Sequence, residues 1–564
     1  MTTRVRSLVA AMRAFVLVLG AASLWLGRDG INPDGVAYLD VSDVYLSGEW
    51  ASRTGYWSPF YPMLIALGRL VGGTAPAREL VIAQVVNCVV FLSTFAGFEL
   101  LVRSLRNAPA DGRPAASPND TAWLVLAYAL FAVVTVGWIR TWLVTPDMLV
   151  TAIVFFVAAA AVRLTSGQGG WPAAAAIGVF LGLGYLTKAA LLPVGVVILA
   201  TLAVVLHKHH ARRWGLKVAL ASAVFAAIAA PQIAYVSKLS GRLTFSDVGR
   251  IQYLWFIAGV PGAISSVFVL PADLPRPTGT KHTLTPLDPS RDAGPVVYDI
   301  DAPIPGTLPI WYDAGYWYRD VVAPLYPLRI VRAVVRHARV FLEVLGFLIV
   351  GGLAAALATR PSWRDAMALR PAWTLVVPAL AACAMYGVVL VQTRYIAPFV
   401  LVLILGLVPA WSMDDLSRRL RTGFAVGALA ALPLVVHQVK VDTTFWRGSA
   451  DVRATLVAAL AARGVGPGAR LGYIGEAYEA YWARPGRMRF VTLIPRAEAP
   501  RFWQLGEAGR ASVIERMMRA RTDAIIAEAP SPGVSTAGWE PLPAASKASP
   551  PLLLYRVVRG VARR

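Results

Sequence analysis

The chain is poor in cysteine, with two in 564 residues, and poor in charge, since Asp, Glu, Lys and Arg together make up only 15% of it. Cys88 and Cys383 lie far apart, each inside an apolar run, so neither a disulfide framework nor a thiolate metal site is indicated. Carboxylates are the scarcer sign, 32 against 54 Lys and Arg, for a formal net charge of +22. The cations do not form one patch. They gather where apolar runs end, which argues for membrane anchoring and against a nucleic-acid partner. Hydrophobic residues fill 57% of the chain and mean hydropathy is +0.57, which excludes a soluble cytosolic enzyme and places it among polytopic membrane proteins.

A helix crosses a bilayer with roughly 20 apolar residues. Eleven stretches approach that length: 8 to 26, 79 to 102, 121 to 137, 146 to 164, 172 to 187, 189 to 206, 216 to 236, 338 to 358, 372 to 390, 395 to 411 and 422 to 438. The run from Trp171 to Leu206 is too long for one helix and carries Lys188 at its middle. An ammonium in lipid costs roughly 2.5 to 3.5 kcal/mol on insertion scales, so a tight hairpin turning at Lys188 is predicted. The N-terminus carries Arg4, Arg6 and Arg13 but no clear cleavage site, and the first span is expected to stay as a signal anchor.

Basic clusters at 4 to 13, 103 to 113, 208 to 213, 360 to 370 and 418 to 421 alternate with poorly charged loops. The basic set belongs in the cytoplasm. Residues 27–78, the turn near 138–146, Lys188, the loop 238–337, the turn 391–394 and everything after about 438 then face outward. The predicted architecture is a polytopic α-helical membrane protein of about 11 transmembrane helices over residues 1–440, with a small extracytoplasmic α/β domain over 441–564.

The chemistry-bearing residues collect on the outward side. Asn32-Pro33-Asp34-Gly35 follows the first span directly, and an amphipathic helix lying along the membrane is expected downstream, with Asp40 and Asp43 on its polar side. Tyr38, Tyr56, Trp57 and Tyr61 supply aromatics suited to a bilayer edge or a sugar face, and anchoring alone also accounts for them. Asp147, in Thr-Pro-Asp-Met, is either a second site carboxylate or a residue complementing a helix dipole. Three lone outward cations, Arg140, Lys188 and Arg394, break the positive-inside pattern at helix ends, with Arg250 a weaker fourth. Such cations suit a phosphate held at the outer membrane edge, although each alone can also snorkel to headgroups. The loop 238–337 adds Trp311, Tyr312, Tyr316, Trp317 and Tyr318, and its segment 271–309 also reads as a partly ordered surface loop.

Other signals are weaker. His207, His209 and His210 sit among Lys and Arg with no carboxylate or thiol, which favours a headgroup anchor over zinc. Gly464 to Gly468 precede a strand instead of joining strand to helix, so no nucleotide site is expected there. Gln84 and Asn87, inside the second span, are expected to make interhelical hydrogen bonds. After residue 445 the pattern reads as helix 450–463, strands 470–475 and 488–493, helix 507–520, and strands 523–528 and 552–557.

Asp34-Gly35-x-x-Tyr38-Leu39, Tyr56-Trp57-Ser58-Pro59-Phe60-Tyr61-Pro62, Thr145-Pro146-Asp147, Leu186-Thr187-Lys188 and Arg394-Tyr395 occur in an order that resembles the GT-C glycosyltransferases. The chain looks most like the bacterial branch related to protein O-mannosyltransferases and the lipid A aminoarabinose transferase, over residues 1 to about 440. The resemblance implies a catalytic aspartate at Asp34, a polyprenyl-phosphate sugar donor, a lipid, glycan or protein acceptor, and a bacterial inner-membrane location with a cytoplasmic N-terminus. Lys188, Arg394, Arg140 and Arg250 are the expected phosphate ligands, and Tyr38, Tyr56, Trp57, Tyr61, Asp147 and Tyr395 the expected pocket. Gly35 stands where many relatives carry a second acid, so no cofactor is required and a divalent metal is possible but not indicated. The competing reading is a transporter or flippase for a lipid-linked sugar, with an envelope scaffold third. Enzyme and transporter differ in whether the polar residues converge on one outward cavity or line a path through the bilayer.

Overall fold

The structure, a computed structural model, describes residues 3–108, 120–259, 294–318, 321–322, 324–359, 371–411, 415–545 and 550–556. Much of the predicted loop segment 271–309 and the basic cluster 360–370 lie outside the described residues. Helices α1 (Thr3–Leu26), α2 (Pro33–Ser47), α3 (Phe60–Gly72), α4 (Pro76–Asn107), α5 (Thr121–Ala132), α6 (Asp147–Thr165), α7 (Gly170–Thr187), α8 (Leu191–Lys208) and α9 (Trp214–Ser240) form the first part of the bundle. After α10 (Val248–Tyr253), α11 (Pro309–Tyr312) and α12 (Ala314–Tyr318) come α13 (Pro327–Thr359), α14 (Trp373–Val389), α15 (Thr393–Leu407) and α16 (Asp415–Trp446). Nine helical stretches among the described residues are long and apolar enough to cross a membrane. Two of the expected spans, α14 and α15, are shorter apolar helices of 17 and 15 residues. The protein is thus a multi-pass membrane protein.

The hairpin at Lys188 forms as expected. Helix α7 stops at Thr187, Lys188 takes an extended conformation, and α8 starts three residues later. The segment after α5 is less regular. A π-helical run over Val133–Ile139 ends at Arg140, whose φ of 67° leaves the helical region, and an irregular stretch leads to Asp147 at the first position of α6. Irregular backbone at membrane depth needs its polar groups satisfied by protein. The Gln84 amide donates to the Trp142 carbonyl at 2.8 Å and the Asn87 amide to the Leu143 carbonyl at 3.1 Å, so the two polar residues of α4 serve this loop.

Helices α13 and α16 pack at backbone contact. A Cβ on Gly423 would sit 2.2 Å from the Gly351 carbonyl oxygen, and one on Gly427 2.2 Å from that of Phe347. The four-residue spacing of Gly423 and Gly427 puts both on one face of α16, the small-residue arrangement that lets membrane helices approach closely.

The C-terminal region begins with α17 (Ser449–Ala462) and carries α18 (Ala499–Gln504) and α19 (Glu507–Met518) against a six-stranded sheet. Its strands are β1 (Tyr298–Asp299), β2 (Arg470–Gly475), β3 (Arg489–Pro495), β4 (Ala524–Glu528), β5 (Glu540–Leu542) and β6 (Leu552–Arg556), in the order β1-β3-β2-β4-β6-β5. β2 runs parallel to both β3 and β4, and the edge strand β1 comes from the loop between α10 and α11. The predicted helices and longer strands appear within one or two residues of their expected ends, whereas α18, β1 and β5 were too short to carry a periodic signal.

We predict that Gly423→Leu, which wedges a branched side chain into the α13–α16 contact, lowers the detergent-solubilised melting temperature, and that Gly346→Leu, where a Cβ meets nothing within 4 Å, does not. Equal melting curves would refute the close-packing assignment.

Candidate active site

Asp34 owes its position to a local start signal. Asn32 caps α2 by accepting from the Gly35 N–H at 3.0 Å, and Pro33 occupies the first turn, so Asp34 stands at the helix N-terminus where the dipole favours a carboxylate. From α15, Arg394 donates to Asp34 at 2.8 Å and lies 3.6 Å from Asp147. From the α7–α8 turn, Lys188 bonds Asp147 at 2.6 Å. Four groups from four distant stretches of chain therefore form one line, Asp34–Arg394–Asp147–Lys188, with two positive and two negative charges. Tyr395 completes it: the Lys188 ammonium sits 3.5 Å above its ring, and its hydroxyl accepts from Arg394 at 3.3 Å. Burial, helped by the nearby Arg394 charge, holds the Lys188 ammonium below the ordinary lysine range despite Asp147.

These groups line a cavity of about 920 Å³. Its aromatic wall runs from Tyr38 to Trp57 (ring centroids 4.8 Å apart), from Trp57 to Trp311 (5.6 Å), and on to Tyr478 (5.5 Å). The Trp57 indole donates to the Trp311 carbonyl at 3.1 Å, which ties the segment between α2 and α3 to α11. Aromatic faces beside charged and hydroxyl-bearing groups suit a sugar held next to a phosphate.

Several expected site residues fall elsewhere. Arg140 is not among the residues that line the cavity; it lies 3.4 Å from Asp442 near the end of α16, a carboxylate that also accepts from the Trp142 indole and so draws this turn toward α16. Arg250 lines the cavity, yet its guanidinium donates to the carbonyls of Tyr318 (2.9 Å) and Val321 (2.7 Å), a role in bracing the loop. Tyr61 is fully buried behind Tyr38 and donates to Asn87 at 2.7 Å, outside the lining. Asp147 does more than complement a dipole, since it bridges both cations. The amphipathic-helix expectation for α2 is also corrected: Asp40 is buried, 5% exposed, because a partner from the C-terminal region reaches it.

That partner is Arg484. It donates to Glu79 (2.7 and 2.5 Å), Asp40 (2.6 Å) and Asp43 (2.5 Å), while Arg487 adds bonds to Asp43 and Glu79, and Arg69 pairs with Asp43 at 2.7 Å. Asp40 also accepts from the Thr307 N–H and hydroxyl, both at 2.9 Å. Three arginines face three carboxylates, so the buried charges cancel. The chain just before Arg484 then reaches the cavity: Glu476, Tyr478, Glu479 and Tyr481 line it. Burial pushes the Glu476 carboxyl up. Sequence reasoning missed these four residues. The available signal was their place after β2, since sites on parallel sheets gather beyond strand carboxyl ends.

No protein-family model matches the chain, and no curated protein matches it. Solved structures do. ArnT from Cupriavidus metallidurans bound to undecaprenyl phosphate superposes at a TM-score of 0.51 and 15% identity, covering 97% of this chain and 98% of that one. The apo oligosaccharyltransferase of Archaeoglobus fulgidus aligns at a TM-score of 0.45 and 12% identity, over 92% of this chain and 69% of that one. The first likeness shows a shared fold through both the membrane bundle and the C-terminal domain.

We predict that Arg484→Met, which strands Asp40 and Glu79 without their main partner, costs about 3 to 5 kcal/mol of stability, the range for breaking a buried ion pair. Arg484→Lys restores charge but not the forked geometry and falls between. Thermal unfolding in detergent reads the order, and a melting curve for Arg484→Met equal to that of the unsubstituted chain would count against the clamp.

Proposed function

Taking the GT-C fold shared with ArnT as the premise, we propose that this protein is a membrane glycosyltransferase that moves a sugar from a polyprenyl-phosphate donor to an acceptor on the non-cytosolic face. The observation that carries the reading is the convergence of Asp34, Arg394, Asp147 and Lys188 on one cavity. Lys188 leads into α8 and Arg394 starts α15, helices whose far ends lead to the basic clusters 208–213 and 418–421, which supports a site on the face opposite the cytoplasm. ArnT's bound undecaprenyl phosphate is the same class of lipid.

The acceptor oxygen, or nitrogen, forms a bond to the sugar C1 as the bond from C1 to the phosphate oxygen breaks. The electron pair leaves with the polyprenyl phosphate, and the acceptor proton passes to Asp34. A phosphate leaves as a stable anion and needs no general acid; it needs cations, which Lys188 and Arg394 supply. Direct attack inverts the anomeric centre. The donor phosphate also has the charge to draw Arg394 off Asp34, which frees that carboxylate to act as base.

The alternative, a flippase for a lipid-linked sugar, needs polar groups along a path through the bilayer. The quartet's concentration at one end of the helices favours transfer.

We predict that Asp34→Asn retains binding of undecaprenyl phosphate but loses about 10²- to 10⁴-fold in transfer from a panel of radiolabelled polyprenyl-phosphate sugars, the usual weight of a general base. Full transfer activity in that variant would overturn the role of Asp34, and undiminished movement of donor across the bilayer without transfer would favour the flippase. A second outcome follows from Lys188. Because burial lowers its proton affinity, donor-phosphate affinity stays constant below the lowered Lys188 pKa and declines as pH rises through it, earlier than an ordinary lysine would allow. Lys188→Arg, whose charge persists, moves that decline to higher pH in a binding titration.

A further inference from the structure

The turn that delivers Asp147 to the site is held from outside the cavity. The π-helical run over Val133–Ile139 ends at Arg140 with φ 67° and ψ 110°, outside the left-handed helical well that non-glycine residues occasionally visit. Backbone in so sparse a region persists only where its surroundings fix it, and π-helical turns recur at functional sites. The fixing group is Asp442, near the end of α16. Its carboxylate is buried, accepts from the Trp142 indole at 3.1 Å and the Gln438 amide at 2.9 Å, and lies 3.4 Å from Arg140. Asp442 is not among the residues that line the cavity, so a buried charge that is costly to keep is spent on a turn.

Trp142 works as a spacer. Its buried ring fills the place that side chains on Gly27 and Gly30 would take: a Cβ there would lie 2.3 and 2.5 Å from the ring. Both glycines precede Asn32, the cap of α2, so the indole bears on the segment that presents Asp34. Two residues further along the turn, Val144 is fully buried, and a Cβ on Gly35 would lie 3.2 Å from the Val144 Cβ. Residues 140–146 therefore rest against the chain on both sides of Asp34 and end at Asp147. The chain just past α16 holds the same segment: the Gly448 N–H donates to the Asp29 carboxylate at 3.0 Å, and Arg453 to the Asp29 carbonyl at 2.8 Å.

Resting on the transferase reading, we propose that Asp442 is a positioning residue for sugar transfer. By holding Trp142 against Gly27 and Gly30, it fixes how far Asp34 stands from Asp147, and so from Lys188 and Arg394, the cations that Asp147 bridges. It acts through Trp142 and not on the substrate. A base on one side and phosphate-holding cations on the other serve a single sugar only when their separation matches it. Loosening the pin displaces Asp34 and leaves the cations in place, so turnover falls while the donor still binds.

Three variants of the full chain in proteoliposomes test this. Trp142→Phe keeps a ring against the glycines and removes the N–H that Asp442 accepts, Asp442→Leu removes the acceptor, and Asp442→Asn keeps an acceptor without the charge. With radiolabelled polyprenyl-phosphate sugars, kcat is expected to fall on the order of 10- to 100-fold in Trp142→Phe and Asp442→Leu, the weight of a displaced reacting group. The donor KM and the binding of undecaprenyl phosphate are expected to stay unchanged, and Asp442→Asn to recover most of kcat. The double variant carrying Trp142→Phe and Asp442→Leu is expected to lose no more than either alone, because both remove one pin. Full kcat in the single variants, a raised KM at unchanged kcat, additive losses in the double variant, or Asp442→Asn no better than Asp442→Leu overturns the proposal. Deuterium exchange of peptides spanning residues 27–39 separates the two readings, since it is expected to quicken in Trp142→Phe and Asp442→Leu whether or not sugar moves. Faster exchange in a protein whose unsubstituted form transfers no sugar would keep the pin and remove the transferase reading, whereas unchanged exchange would remove the pin.

Discussion

Moving a charge out of water costs several kcal/mol per ion even after protein relaxation, and it is offset only when opposite charges meet with good geometry. Everything functional in this protein follows from that constraint applied at a membrane edge. The cavity holds Asp34, Arg394, Asp147 and Lys188 as a neutral line, and the junction beneath the C-terminal domain holds Arg69, Arg484 and Arg487 against Asp40, Asp43 and Glu79. Each set draws on segments remote in sequence, so the first forms only once the bundle has assembled and the second only once the C-terminal domain meets it. The two sets are joined through α2, which carries Asp34 at its first turn and Asp40 and Asp43 further along. The helix that presents the candidate base is held at one end by the site and along its length by the C-terminal domain.

The two sets differ in what they can do. In the junction, Arg484 is 4% exposed and every carboxylate has at least two partners, so the network is saturated and suited to fixing a geometry. In the cavity, the side chains of Arg394 and Asp34 are 16 and 18% exposed and each contact between them is single. Exchanging one anion for another there costs less than breaking into a saturated cluster. A neutral quartet also limits what binds: an incoming phosphate adds negative charge, and the stable answer is to redistribute the two cations from carboxylate to phosphate. On the proposed function, binding of the donor and release of the base are then the same event.

The membrane bundle was legible in the sequence because its signal is additive: each span sums twenty side chains, and the loops between them alternate in cation content. Lys188 could be placed at a turn for the same reason, since a lipid-buried ammonium is too costly to leave mid-helix. The fate of Arg140 was not legible. A lone cation at a helix end looks the same whether it faces a ligand or a carboxylate three hundred residues away, and Asp442 gives no local hint of its partner. Asp40 and Asp43 misled for a related reason. Their spacing reads as the wet side of a surface helix, and only the tertiary approach of Arg484 makes that side an interior.

The same limit explains why no role could be read for the C-terminal domain in its sequence. Its strands and helices form an ordinary small sheet domain, and nothing in their periodicity points to the membrane. Yet β1 is supplied by the loop between α10 and α11, Arg484 grips α2, and Glu476, Tyr478, Glu479 and Tyr481 close the cavity above the charged line. A module appended for recognition alone would present its contacts at a rim, solvated and replaceable. Here the contacts are buried ion pairs whose removal leaves uncompensated charge next to the candidate base. The domain is therefore part of the wall around the charged line, and the cavity is built from both halves of the chain.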